Sequence, residues 1–259
     1  MNPKVSPAAR AIMVLASMGI TDPPAYRLDE IAEVQKIRVS KASLPNDRSF
    51  SGALLFRGDK RGILLNTVIS NEGRINFTFA HELGHHFLEH KPDYQQSGQL
   101  GFRCSPKDME ESHHPQEREA NLFAVELLMP TEQFRPMMSG APLDYTLINS
   151  LARNFAVSKH ACGSRILEFT REACIIIHTR GFKITNKGVS SAARGRLMSM
   201  PQIPPGTAAY KAIQEKQSQL DFSEADPTKW LVRNNPGIQL YECTRGSWGD
   251  GVATTILKW

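Results

Sequence analysis

Phe77-Thr78-Phe79-Ala80-His81-Glu82-Leu83-Gly84-His85-His86-Phe87-Leu88-Glu89-His90 is the stretch on which the reading of this chain turns. It has the length and residue types of a helix running from about Asn76, with Lys91-Pro92 as its stop signal. Residues four apart on a helix share a face, about 40° from vertical alignment, so His81 and His85 can bring both imidazoles to one point. That arrangement suits a tetrahedral zinc ion, which takes neutral imidazole nitrogens at roughly 2.0–2.1 Å. Glu82, one residue on, can reach beside the ion without entering its coordination shell, placed to act on an activated water. Peptide hydrolysis at neutral pH needs a strong nucleophile and a way to stabilise the oxyanion. Two histidines, a metal and a carboxylate acting as base are the smallest set that supplies both.

The helix must be packed into a domain, because Phe77, Phe79, Leu83, Phe87 and Leu88 give it apolar faces. A catalytic zinc needs a third protein ligand and one open position. The extended three-histidine pattern is excluded: Leu88 stands where its glycine belongs and Lys91 where its third histidine belongs. His90, five residues past His85 and about 140° around a continuing helix, reads as a surface or supporting residue. A second helix, Glu117–Met129, stopped by Pro130, offers a better source. Glu117 and Asn121 are four apart and share a face with Ala120 and Ala124, whose small side chains permit close helix approach. Glu117 could complete a two-histidine, one-carboxylate site, and Asn121 could hydrogen-bond a ligand histidine from behind. Glu119 is the alternative ligand, pointing roughly 160° away from Asn121. Acidic residues at a helix start also favour its dipole without any metal.

Working outward, Ser6–Met18 and Leu28–Val34 carry helical patterns. Gly52–Phe56 and Gly62–Asn66 read as a hairpin around Arg57–Arg61, and Asp93–Pro115 as a long polar loop. The passage 146–169 resembles a helix-turn-helix. Beyond it, Ala173–Thr179 and Phe182–Asn186 look like strands, Ser190–Pro205 like a loop and Ala208–Leu220 like a helix. Ile238–Thr244 and Gly251–Trp259 look like a closing hairpin. The fold expected from these patterns is α+β, a first part over 1–170 that includes the helix-turn-helix-like segment 146–169 and then a small α+β region over 171–259. A formal charge of +5 over 259 residues is spread along the chain without a basic run, which argues against a primary nucleic-acid role. One rival reading uses Lys159, His160 and Arg165 of the 146–169 segment to contact DNA; a second keeps the zinc but drops proteolysis, as a structural or sensing site, against which Glu82 argues because a purely structural site needs no acid–base residue. Four cysteines without a Cys-x-x-Cys pair read as ordinary reduced thiols. With no signal-peptide pattern and no apolar run near the roughly 20 residues of a membrane span, a cytoplasmic location is expected.

The segments GALLFRGDKRGILLN, FTFAHELGHHFLEH, EREANLFAVELLMP and LARNFAVSKHACGSRI, in this order over roughly residues 25–170, resemble the ImmA/IrrE metallopeptidases. The resemblance implies that residues 1–170 form a minimal zincin-like catalytic domain of thermolysin-like fold, a small sheet with the HExxH helix and a third-ligand helix, with zinc held by His81, His85 and Glu117, Glu82 as general base and Asn121 as a supporting residue. It further implies an intracellular enzyme that cuts a helix-turn-helix transcriptional repressor or antitoxin-type regulator. An extended substrate segment would add as a strand beside the 52–66 hairpin. Candidates for stabilising the oxyanion are His113, His114 and Tyr94 of the long loop. Residues 171–259 lie outside the shared motifs and read as a structural extension, a regulatory part being the other reading.

Overall fold

Short apolar runs separated by polar, turn-forming ones assort into an α+β fold in the computed structural model. It describes residues 5–47, 50–68, 71–91, 101–104, 114–232 and 237–259, without the side chains of Arg103 and Cys104. Among the described residues there are nine α-helices and two sheets. They form two compact units, Met1–Ala141 with Asn149–Cys162, and Pro142–Ile148 with Gly163–Trp259.

In the first unit, Ser6 caps α1 (Pro7–Ser17) by accepting from the Ala9 amide, and α2 (Leu28–Val34) follows. Three strands come next: β1 (Ile37–Ala42), β2 (Gly52–Arg57) and β3 (Lys60–Asn66). The predicted hairpin is β2–β3, its turn tightened to Gly58-Asp59, with Gly58 in the left-handed region at φ 59°. After α3 (Glu72–Phe87) comes β4 (Gly101–Cys104), which pairs antiparallel with β2. The sheet order is β1-β3-β2-β4, with β1 parallel to β3. Both edges of β2 are therefore taken, so the hairpin has no open side for a substrate strand. Neither β1 nor β4 was expected from the sequence. Ile37 and Val39 are too few apolar positions to announce a strand, and β4 sits within the stretch read as loop.

The sheet presents Leu54, Ile63 and Leu65, each at most 1% exposed, toward α3, which buries Phe79, Ala80 and Leu83. Burying a side chain of this size contributes ~1.5–3 kcal/mol. Gly52 lets the helix lie close, since a β-carbon there would stand 2.5 Å from Thr78 Cγ2. Against α3 packs α4 (Pro115–Leu128), through fully buried Ala120, Phe123, Ala124 and Leu127. Asn66, 2% exposed, accepts from the amides of Leu44 (3.0 Å) and Val68 (3.1 Å) and donates to the carbonyls of Asp47 (3.0 Å) and Phe50 (2.9 Å). One side chain thus ties the segments flanking the hairpin together.

The helix α5 (Thr131–Met137) leads to α6 (Tyr145–Asn154) and α7 (Lys159–Phe169), the helix-turn-helix-like passage. Arg165 is only 6% exposed, donates to Glu168 at 2.6 Å and lies over the Phe169 ring. So buried, its guanidinium is not offered to a DNA groove, which corrects its place in the DNA-contact reading.

The second unit is built on an antiparallel sheet, order β6-β5-β9-β8-β7: β5 (Cys174–Arg180), β6 (Lys183–Val189), β7 (Gln219–Ala225), β8 (Leu240–Ser247) and β9 (Val252–Lys258). With α8 (Ala208–Glu215) and α9 (Pro227–Trp230) it encloses Ile175, Ile177, Trp230, Leu240 and Leu257. The helix expected to reach Leu220 stops at Glu215, where Lys216 turns left-handed (φ 52°), and the chain from Gln219 is a strand. Cys162, Cys174 and Cys243 are buried free thiols, their pKa values pushed up by burial. Among the described residues no helix is long and apolar enough to cross a membrane.

Candidate metal centre

Asn71 starts α3 by accepting from the Arg74 amide, and Glu72 in the first turn complements the helix dipole. Two turns further on, His81 and His85 face the same side, 0% and 1% exposed, with their Nε2 atoms 3.0 Å apart. The first turn of α4 brings Glu117 opposite them, Oε2 3.0 Å from His81 Nε2 and Oε1 3.3 Å from His85 Nε2. The spacing between α3 and α4 is set one turn away. A β-carbon on Gly84 would lie 3.1 Å from the Ala120 carbonyl oxygen and 3.2 Å from Ala120 Cα and Phe123 Cδ1. This is the close approach expected of Ala120, with Gly84 as its unforeseen counterpart.

Among the described residues these three side chains are the group that could hold a metal ion, one ligand atom from each lying within 4.8 Å of the others. The nearest separations, 3.0–3.3 Å, are close to the edge of a tetrahedron drawn about zinc at its usual bond lengths, roughly 3.3 Å. The donor chemistry fits as well. His81 Nδ1 lies 2.9 Å from Asn121 Oδ1, an acceptor, so the ring proton belongs on Nδ1 and Nε2 turns a lone pair toward the cluster. Burial pushes His85 down to about 4, so its ring is neutral. Burial also pushes Glu117 up, but the adjoining rings of His81 and His85 outweigh it and hold the carboxylate below its usual range. Two neutral imidazoles and an anionic carboxylate converging on one point are a cation's ligand set.

Glu82 is wholly buried, and neither of its oxygens makes a well-formed hydrogen bond. Burial pushes its carboxyl up to about 8, the nearby Glu117 adding to the rise, while His81 and the Leu54 amide oppose it. A buried carboxyl with no well-formed hydrogen bond is costly and is characteristic of functional positions.

The structure departs from the sequence reading around His90. Helix α3 ends at Phe87, before Lys91, and the chain reverses through Glu89, a non-glycine residue at φ 55°. The Glu89 amide donates to the His86 carbonyl (3.1 Å) and the His90 amide to the His85 carbonyl (3.0 Å), a Schellman cap. The reversal folds His90 back until its Nδ1 is 3.0 Å from His85 Nδ1, and it is 7% exposed, not a surface residue. Glu119, the alternative ligand, faces the other side of His90, Oε2 2.9 Å from Nε2, and stands apart from the three-residue cluster. A glycine at the reversal would have marked the cap in the sequence; Glu89 conceals it. Phe102 of β4 stacks on His85, centroids 4.0 Å apart at 22°. Of the oxyanion candidates, His114 is exposed at the start of α4, and Tyr94 and His113 lie outside the described residues.

A metal-ligating helix pair packed on a small sheet is the architecture of the zincin-like metallopeptidases. The chain belongs to the peptidase family described as the IrrE N-terminal-like domain, whose model matches residues 32–167. That span holds the sheet, both helices and every residue of the cluster. Comparison with curated proteins gives no match. Among solved structures, a Mycobacterium tuberculosis transcriptional regulator is similar at a TM-score of 0.57 and 15% identity, over 97% of this chain and 74% of that one. That likeness concerns the fold.

Proposed function

We propose that the chain is an intracellular zinc-dependent metallo-endopeptidase that performs limited proteolysis of a helix-turn-helix transcriptional repressor or antitoxin-type regulator. The observation that carries this reading is the convergence of His81, His85 and Glu117 beside the wholly buried carboxyl of Glu82. In it, His81, His85 and Glu117 hold the zinc, and Asn121 orients His81 through its Nδ1–H. Bound zinc supplies Lewis-acid chemistry, acidifying water and polarising a peptide carbonyl. Glu82 takes the proton of the attacking water on a carboxylate oxygen and returns it to the leaving amine nitrogen. The surrounding burial keeps bulk water from competing for that carboxylate. Residues 1–170 carry the peptidase, and 171–259 form an α+β extension outside the chemistry. Membership of a peptidase family supports the reaction, and the family resemblance supports the choice of substrate.

Substitution of Glu82→Gln tests the mechanism. Zinc stoichiometry and fold should be kept, while cleavage of a regulator protein should fall at least about a hundredfold, the usual contribution of a general base. Cleavage at the wild-type rate by the zinc-loaded variant would remove Glu82 from the reaction.

A further inference from the structure

His85, His90 and Glu119 form a line of contacts, buried at His85 and His90 and half-buried at Glu119, that the proposed chemistry does not use. His85 Nδ1 is 3.0 Å from His90 Nδ1, and His90 Nε2 is 2.9 Å from Glu119 Oε2. We propose that His90 and Glu119 form a positioning relay that fixes the tautomer of His85 and so turns its Nε2 lone pair toward the metal. The inference rests on the reading of His85 as a ligand.

Hydrogen-bond polarity gives the direction. An ionised carboxylate can only accept, so His90 Nε2 carries a proton and donates it to Glu119. A His90 ring that carries its one proton there presents a lone pair at Nδ1. The facing His85 Nδ1 must then be the donor, and a neutral ring protonated at Nδ1 bears a lone pair at Nε2. That Nε2 faces His81 Nε2 at 3.0 Å and Glu117 Oε1 at 3.3 Å. Without the carboxylate, the opposite polarity would serve equally: a proton on His90 Nδ1 donated to His85, and His85 Nε2–H aimed into the cluster. Glu119 removes that alternative. The two histidine ligands are thus oriented by different devices, His81 by an amide on α4 and His85 by a histidine–carboxylate pair.

A second, independent observation is the backbone conformation that places His90. Glu89 adopts the left-handed region at φ 55°, where side chains other than glycine and asparagine are disfavoured. The turn it makes directs the His90 amide to the His85 carbonyl at 3.0 Å and its ring to the His85 ring, centroids 5.1 Å apart at 72°. Main chain and side chain of His90 thus both contact the residue it orients. Phe102 closes another side of His85 by stacking, so the ring has little freedom to flip.

The test uses the full-length protein and zinc alone. Zinc affinity is measured by competition with a chromophoric chelator for wild type, His81→Ala, His90→Phe, His90→Asn and Glu119→Gln. Histidine tautomers are read by long-range nitrogen–proton NMR on the zinc-loaded wild type. His90→Phe should weaken zinc about ten- to a hundredfold. His90→Asn, whose side-chain oxygen can accept in place of Nδ1, should recover part of the loss, which a merely space-filling role would not produce. The spectrum should show His85 protonated at Nδ1 and His90 at Nε2. Zinc affinity of folded His90→Phe and Glu119→Gln within twofold of wild type would overturn the relay, as would a His90 ring protonated at Nδ1. Should His90→Phe not fold, the wild-type spectrum and Glu119→Gln decide. Zinc binding by wild type no tighter than by His81→Ala would instead overturn the ligand assignment, a result the relay variants alone cannot mimic.

Discussion

Replacing Gly84 with alanine separates the stability of the helix pair from the precision of its metal cluster. Alanine raises intrinsic helix stability by about 1 kcal/mol over glycine. The new methyl group would stand 3.1 Å from the Ala120 carbonyl oxygen and 3.2 Å from Ala120 Cα and Phe123 Cδ1. Comfortable contact begins near 3.5 Å, so α3 and α4 must part by roughly 0.3–0.4 Å. In the metal-free protein they can do so, and the propensity gain should leave thermal stability unchanged or up by a few degrees. Ligand positions tolerate only about 0.2 Å, so binding zinc must draw the helices together again. The overpacking cost, ~1–3 kcal/mol, then appears at the binding step, as a loss of zinc affinity of roughly tenfold or more. Calorimetric melting of the metal-free protein and chelator competition for zinc measure the two parts. A variant that melts higher and binds zinc as tightly as wild type would refute the argument that the Gly84–Ala120 contact sets the ligand spacing.

Glu89→Gly should relieve the left-handed position that caps α3 and raise stability by about 1 kcal/mol in chemical denaturation, with zinc binding kept. Asn66→Ala should cost about 2–4 kcal/mol, because it strands the amides and carbonyls that the buried amide side chain serves; a loss below 1 kcal/mol would mean water replaces it there. Saturating zinc should raise the melting temperature and a chelator should reverse the rise, with about 4 kcal/mol gained at a thousand times the dissociation constant. His85→Ala should abolish that response.

Much of the centre was legible in the sequence because its parts are periodic. Two histidines four apart on an apolar-faced segment, and Glu117 and Asn121 four apart beside small alanines, define helix faces without any tertiary information. The structure brings those faces together. The α+β fold and the 52–66 hairpin were readable for the same reason, from runs of Leu and Ile punctuated by glycine. What escaped was information carried by the partner and not by the residue. β4 is a strand because β2 offers it an edge, since Gly101 and Phe102 show no strand pattern of their own. His90 reads from the sequence as either a surface or a supporting residue, and the structure removes only the first; the αL turn that folds it back sits on a glutamate, the wrong residue to signal a cap. Gly84 reads as a weak spot in a helix until Ala120 is set against it.

The Schellman turn at Glu89 has a bearing on portability. Because it returns His90 to His85 by backbone geometry alone, both candidate histidine ligands, the Glu82 carboxyl and His90 travel together in segment 81–90. Asn121 beside His81, the candidate third ligand Glu117 and the Glu119 carboxylate beside His90 all travel in segment 117–121. A scaffold for transplanting this centre therefore has to reproduce only one helix crossing, with a glycine facing an alanine, and a single left-handed residue after the first helix.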